Sequence, residues 1–287
     1  MTAKIIDGRK IADNLHKKTS EEMEQLKSRY KTTPSITTII IGKDQTSTLY
    51  LKLRDNACKK IGIISNHLEF LQNVSENEIL QSISELNEDK NVHGILIQFP
   101  VPIHICSDSL MNAIDPKKDV EGFNPYNMGR TLIGHEHIVP CTPLSVLTIL
   151  EHENFDLEGK DVVIINHSIV VGKPLSALFL NRNATVSVCH IFTKNVKQYT
   201  SRADVLVTAT GIPGIITSEY VKKNAIVIDV GIVNTDDGIC GDVDFESVKE
   251  KVEKITPVPG GVGPVTVACS VRNMLKTYKS CMDERPL

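Results

Sequence analysis

No stretch of this 287-residue chain stays apolar for the roughly 18 residues that a membrane-spanning helix needs. The opening MTAKIIDGRK runs into a helix-like pattern without the apolar core of a secretory signal. No membrane partner and a cytoplasmic setting are expected. An excess of one charge is also missing: the formal net charge is −3, and Lys and Arg are scattered along the chain. The electrostatic footprint of a nucleic-acid binder is therefore absent. Seven cysteines, at 58, 106, 141, 189, 240, 269 and 281, form no CxxC pair and no metal-ligand spacing. They read as reduced thiols packed as small hydrophobes, and no metal is expected. Internal repeats and low-complexity tracts are lacking as well, which leaves small molecules as the expected partners.

What the chain does have is a rhythm. Apolar segments of strand length, SITTIII (35–41), HGILIQF (93–99), KDVVIINH (160–167), ATVSVCH (184–190), ADVLVTAT (203–210) and AIVIDVGI (225–232), alternate with amphipathic stretches of helical length. This predicts parallel α/β architecture. Pro100, Pro102, Pro116, Pro125, Pro140 and Pro143 break any long element between 100 and 145, so a domain junction is expected there. One domain would occupy residues 1–145 and a second α/β domain residues 146–287. The closing stretch CSVRNMLKTYKSCM suits a helix that either caps the second domain or packs back across the first.

In the second half, strand 160–166 feeds N-H-S-I-V-V-G-K-P and then a helical LSALFLNR. A strand, a tight turn and a helix N-terminus can present free N–H groups and a positive dipole end to a pyrophosphate. Only Gly172 is glycine in this turn, so G-x-G-x-x-G is not matched, and a structural turn without ligand suits the pattern equally well. TATG (208–211) and DVGI (229–232) place small residues at two further strand ends, where open α/β sheets bind ligands. Together these ends favour a dinucleotide site.

Three stretches jointly resemble one family, the bifunctional methylenetetrahydrofolate dehydrogenase/cyclohydrolases. They are STLYLKLR (47–54), GILIQFPVP (94–102) followed by KDVEGFNP (118–125), and TPVPGGVGPVT (256–266), and the similarity runs from IIDGRKIA to the C-terminal helix. The resemblance implies an N-terminal catalytic domain, a Rossmann nucleotide domain, folate and cofactor in a cleft between them, and a homodimer. The implied reaction is oxidation of 5,10-methylenetetrahydrofolate to the methenyl form with NADP, or NAD as the alternative, and hydrolysis to 10-formyltetrahydrofolate. Tetrahydrofolate one-carbon derivatives would be the substrates, within the one-carbon supply of purine synthesis. Matched to the family, Tyr50, Arg54, Gln98 and Glu121 are the candidate catalytic residues. Ser47, Tyr50, Pro100, Glu121 and Pro264 would bind substrate, and Asn166, His167, Ser168, Gly172, Ile191 and Ile232 the cofactor.

The residues themselves suit these roles without compelling them. On a helix over 45–61, Ser47, Tyr50 and Arg54 share one face. Tyr50 can stack on a flat pterin or aminobenzoyl ring, although an ordinary half-buried tyrosine fits the pattern too. Gln98 ends a strand ahead of Pro100 and Pro102, where it can serve an α/β site or satisfy only local backbone groups.

Two departures bear on the chemistry. The family usually has lysine where this chain has Arg54 and aspartate where it has Glu121. Lysine can lose its proton when buried and arginine cannot, so Arg54 can stabilise charge but not act as a base. Lys52, two residues on from Tyr50, lies on another helical face. In the cofactor turns, Asn166-His167-Ser168 stands for G-R-S and Cys189-His190-Ile191 for C-H-S, which removes two groups suited to a 2′-phosphate; His167 offers in their place a side chain of a type that can carry positive charge. Three readings follow: a dehydrogenase with reduced or absent cyclohydrolase activity, a fully bifunctional enzyme in which Arg54 works electrostatically, and a silent folate- or nucleotide-binding protein.

Overall fold

A computed structural model describes residues 2–42, 45–236 and 238–283, with the side chains of 45–49 left aside. In chain order, β1 (Lys4–Ile5) and α1 (Gly8–Tyr30) precede β2 (Ser35–Ile41), α2 (Gln45–Ile61), β3 (Ile64–Phe70), α3 (Glu76–Glu88) and β4 (Gly94–Ile97). Three helices follow, α4 (Ser107–Ala113), α5 (Pro125–Leu132) and α6 (Cys141–His152). Next come β5 (Asp161–Ile165), α7 (Gly172–Leu180), β6 (Thr185–Cys189), α8 (Val196–Thr200), β7 (Val205–Thr208) and β8 (Ile226–Asp229). A hairpin of β9 (Val233–Thr235) and β10 (Gly238–Cys240), then α9 (Phe245–Lys249), β11 (Lys254–Ile255) and α10 (Val262–Asp283), complete the described chain.

The chain forms two compact units. A large-sheet unit gathers Met1–Asp13, Thr131–His135 and Thr142–Thr266, and a small-sheet unit gathers Asn14–Arg130, Glu136–Cys141 and Val267–Leu287. The units interleave along the sequence instead of meeting at one cut near 145. Two local causes are visible: β1 pairs in parallel with β11, and α10 from Val267 onward belongs with residues 14–130. On that helix Val267, Val271, Met274, Leu275, Tyr278 and Met282 recur at helical spacing as one buried stripe, packed with Met23, Ile36 and Ala57.

The small sheet runs β3-β2-β4, parallel throughout. Alternation along β2 sends Ile36 into the cluster containing α10, while Ile39 and Ile41 join Ile79, Ile83 and Leu110 on the other face. The large sheet runs β1-β11-β8-β7-β5-β6, also parallel. After β5 the chain adds β6 on one side and then crosses back to place β7 on the other. The carboxyl ends of β5 and β7 therefore flank a topological switch point, where open α/β sheets take ligands. All six expected strands are present, and β2 matches its expected bounds residue for residue. Among the described residues no helix is long and apolar enough to cross a membrane, and no cluster of His, Cys, Asp or Glu suits a metal ion.

Candidate active site

In the small-sheet unit, α2 turns one stripe inward, formed by Arg54, Ala57, Cys58 and Ile61, with Tyr50 half-buried one turn earlier. Arg54 thus occupies a core position and is 0% exposed. Its Nη2 donates to Thr38 Oγ1 (2.6 Å), a β2 residue on the α2-facing side, while its Nε and Nη1 are buried without a partner. Lys52 on the same helix is exposed. Burying a guanidinium is costly unless its donors are satisfied, so two nitrogens with unused N–H donors mark a site shaped for something other than stability.

Glu121 is presented by a built turn. Asp119 pairs beside Ile95 of β4; its Oδ1 accepts from Gly122 N–H (2.9 Å), and its Oδ2 from Asn124 N–H (2.8 Å) and Asn127 Nδ2 (3.0 Å). Gly122 sits at φ +75°, and a Cβ there would lie 2.8 Å from Pro140 N, so the turn requires glycine. Asn273 of α10 donates to the carbonyls of Val120 (2.9 Å) and Val139 (2.8 Å), holding the segment that leads into Glu121.

Electrostatics join these groups. Burial lifts the Glu121 carboxyl to about 7, with the Arg54 charge opposing the rise and Asp119 adding to it. Burial, and then the Glu121 charge, push the Tyr50 hydroxyl and the Cys141 thiol well above their ordinary values. Tyr50, Arg54 and Glu121 are thereby brought together, with Cys141 and Ser270 beside them. Gln98 follows β4 at the same sheet's carboxyl edge; its Nε2 donates to Phe99 O (3.1 Å), and its Oε1 is buried without a partner. Pro100 is exposed after a cis Phe99–Pro100 bond. Ser47 lies in the first turns of α2, with its side chain outside the described residues. Pro264 belongs to the large-sheet unit, in the first turn of α10.

At the carboxyl edge of the large sheet, Asn166 closes β5. Its Oδ1 accepts from Ser168 N–H (2.8 Å) and Gly172 N–H (3.1 Å), and its Nδ2 donates to Ala209 O beyond β7 (2.7 Å). The N–H groups of Val171 and Lys173 are also taken, by Ser168 Oγ (3.1 Å) and Ser168 O (3.0 Å). The expectation of free N–H groups at the start of α7 is thus corrected for residues 171–173: the Ser168 and Asn166 side chains already cap the first two, and the Ser168 carbonyl the third. His167 and His190 end neighbouring strands with their rings 4.8 Å apart. Ile191 (84%) and Ile232 (57%) stand exposed on the loops after β6 and β8.

Residues 6–121 match the tetrahydrofolate dehydrogenase/cyclohydrolase catalytic domain, and residues 140–282 match the NAD(P)-binding domain of the same family. The chain belongs to the tetrahydrofolate dehydrogenase/cyclohydrolase family. Bifunctional protein FolD of Methanosarcina barkeri is 48% identical over 95% of each chain. The solved bifunctional FolD enzyme of Campylobacter jejuni superposes with a TM-score of 0.94 at 42% identity, covering 97% of this chain and 99% of that one. The Trypanosoma brucei FolD structure, complexed with NADP cofactor and inhibitor, gives a TM-score of 0.93 at 34% identity over 98% of each.

The edge of the large sheet fits the family's dinucleotide. A Cβ on Gly172 would lie 2.0 Å from the Asn166 carbonyl oxygen, so only glycine lets α7 start this close to the strand. Beyond β6 a hollow is lined by Ser187, His190, Thr193, Lys194 and Gln198, with no carboxylate in its lining. A carboxylate near this strand end grips a free 2′-hydroxyl, whereas a basic group accommodates a 2′-phosphate. Sequence reading missed Lys194, which lies outside the motif, and also missed Thr38, Asp119, Cys141, Ser270 and Asn273. The polar residues among these look like ordinary strand and helix residues; Asp119 and Gly122, three apart, were the one local turn signal available.

Proposed function

We propose that this tetrahydrofolate dehydrogenase/cyclohydrolase oxidises 5,10-methylenetetrahydrofolate with NADP as the preferred cofactor. The observation that carries the reading is the wholly buried Arg54, whose unused N–H groups stand in one electrostatic cluster with Tyr50 and Glu121. In this reading Tyr50 stacks on the pterin or aminobenzoyl system, and Glu121 accepts hydrogen bonds from the pterin amino edge. Arg54 and Gln98 complete the polar wall, and the remaining work is holding the donor carbon in a reactive pose. The nicotinamide, when bound, supplies the hydride acceptor. Gln98→Ala tests the assignment: turnover read at 340 nm should fall well before folding is impaired, and full dehydrogenase activity in that variant would sink it.

Hydrolysis of the methenyl product belongs to the same family, but a protonated Arg54 supplies electrostatic support instead of a base. We infer a slower hydrolytic half-reaction than oxidation. A cytoplasmic homodimer serving one-carbon supply for purine synthesis is the setting this reading favours; sedimentation of the purified chain tests the dimer.

A further inference from the structure

We propose that Asp242 is a positioning residue for the nicotinamide end of the cofactor, acting through the loops that follow β7 and β8. The proposal rests on the cofactor reading above and adds a residue that reading does not use. Asp242 lies after β10, outside both loops, and is 0% exposed. Its Oδ2 accepts from Thr208 Oγ1 (2.7 Å) and Thr210 N–H (2.5 Å), and its Oδ1 accepts from Gly211 N–H (2.9 Å). Three donors from the end of β7 and the loop after it thus converge on one side chain. Only an acceptor-only group takes all three, because an amide would turn its own N–H₂ toward one of them.

The same residue is tied to the next loop. Its backbone N–H donates to Asp229 Oδ1 (3.2 Å), which also accepts from Gly231 N–H (2.9 Å), while Asp229 Oδ2 accepts from Val243 N–H (2.9 Å). The packing leaves no slack: a Cβ on Gly231 would lie 2.1 Å from Asp242 Oδ1, and a Cβ on Gly241 would lie 2.1 Å from Asp229 Oδ2. On the other side, Asn166 joins the α7 turn to Ala209. The loops after β5 and β7, which flank the switch point, and the neighbouring loop after β8 are therefore braced by one run of buried and partly buried hydrogen bonds.

What the brace holds out is apolar. Ile212 (52% exposed) follows Gly211, and Ile232 (57% exposed) follows Gly231. Each is anchored by the residue before it, and side chains of this kind suit the face of a flat heteroaromatic ring. Displacing the braced loops would move those contacts while leaving the adenosine end of the site, around His190 and Lys194, in place. Fully desolvated carboxylates are costly, and this one has three donors in place of a cation.

The test compares wild-type full-length protein with Asp242→Asn. Calorimetry with 2′,5′-ADP, which lacks nicotinamide, reads the adenosine end; saturation-transfer NMR on NADP⁺ reads nicotinamide contact relative to adenine contact. We expect the 2′,5′-ADP Kd to stay within about twofold, the nicotinamide-to-adenine ratio to fall at least about threefold, and kcat for oxidation at saturating NADP⁺ to fall about 100-fold, the scale of a misplacement of about 1 Å. An unchanged ratio and kcat, or adenine binding lost in parallel, would overturn the proposal. Should Asp242→Asn fail to fold, Thr208→Val removes a single donor; a nicotinamide ratio lowered below that of wild type, with 2′,5′-ADP binding kept, supports the brace, and an unaltered ratio overturns it. Wild-type protein that binds neither NADP⁺ nor 2′,5′-ADP refutes the cofactor reading itself, an outcome distinct from both.

Discussion

Arginine at 54 is a residue whose cost and use are both visible. Its guanidinium is removed from water for one hydrogen bond to Thr38, with two further nitrogens unpartnered, and it keeps its proton whatever its surroundings. If hydrolysis needs a neutral amine, wild-type protein should release methenyl intermediate and Arg54→Lys should hydrolyse more of it. A general base contributes about 100- to 10,000-fold, so the gain is measurable by following methenyl decay. Lysine is shorter, so Glu121→Asp should be made alone and in combination, because neighbouring changes couple; hydrolysis as fast as oxidation in wild type, unaltered by Arg54→Lys, refutes the assignment. Glu121 gives a second prediction. Its carboxyl is raised by burial from 4.5 to about 7, so the folded protein holds more protons than the unfolded chain between those values. The contribution of this group to stability is therefore greatest below about 4.5, declines as pH rises to about 7, and is level above. Binding runs the other way, since the pterin edge needs the carboxylate. The folate KM should climb as pH drops below about 7, and Glu121→Gln should flatten that climb; an identical profile in the variant would exclude Glu121 as the titrating group.

At the scale of elements, buried parallel strands announce themselves as continuous apolar runs, which is why β2, β4, β5, β7 and β8 were legible; β6, an edge strand with one buried residue, was legible through the alternation of its TVSVC. The strand β3, ISNHLEF, was not: it is the sheet edge, with four of its seven residues exposed, so neither run nor alternation survives. β1 and β11 are two residues each, too short for any periodic signal. The turn after β5 was recognised, but its N–H groups were read as free when Asn166 and Ser168 already hold those of residues 171–173. The strand ends also bear on the prediction for cofactor choice. His167 and Ile191 replace groups suited to a 2′-phosphate, yet Lys194 and His190 line a hollow free of carboxylates. Charge-assisted contacts to phosphate are worth about 1.5–3 kcal/mol each, so NADP should be preferred over NAD by a margin below about a thousandfold in kcat/KM. Lys194→Ala should narrow it further. A larger wild-type preference, or one indifferent to Lys194, contradicts this account.

For the molecule as a whole, function is distributed over two compact units, each with its own core and polar constellation. Recognition of the family could be made from motifs in both, but the interleaved ranges could not, because they depend on which partner a short strand or a terminal helix finds. Tyr50, Arg54, Gln98 and Glu121 all fall in the small-sheet unit, and Asn166, His167, Ser168 and Gly172 in the large-sheet unit. Oxidation needs folate and dinucleotide together, whereas hydrolysis consumes only the methenyl folate and water. A defect confined to the dinucleotide turn should therefore divide the two activities. Gly172→Ala is the sharpest such change, since its Cβ would meet the Asn166 carbonyl oxygen at 2.0 Å, a backbone atom with little room to yield. The variant should raise the NADP KM at least about tenfold, the equivalent of about 1.4 kcal/mol of binding. Hydrolysis of added methenyltetrahydrofolate should stay within about twofold of wild type, the scatter of about 0.3–0.5 kcal/mol between independent sites. Glu121→Gln should show the converse in binding: weaker folate and an unchanged Kd for NADP⁺ measured alone. Parallel loss of both half-reactions in a folded Gly172→Ala protein would mean that the dinucleotide turn supports the folate chemistry directly, and the division by unit would have to be given up.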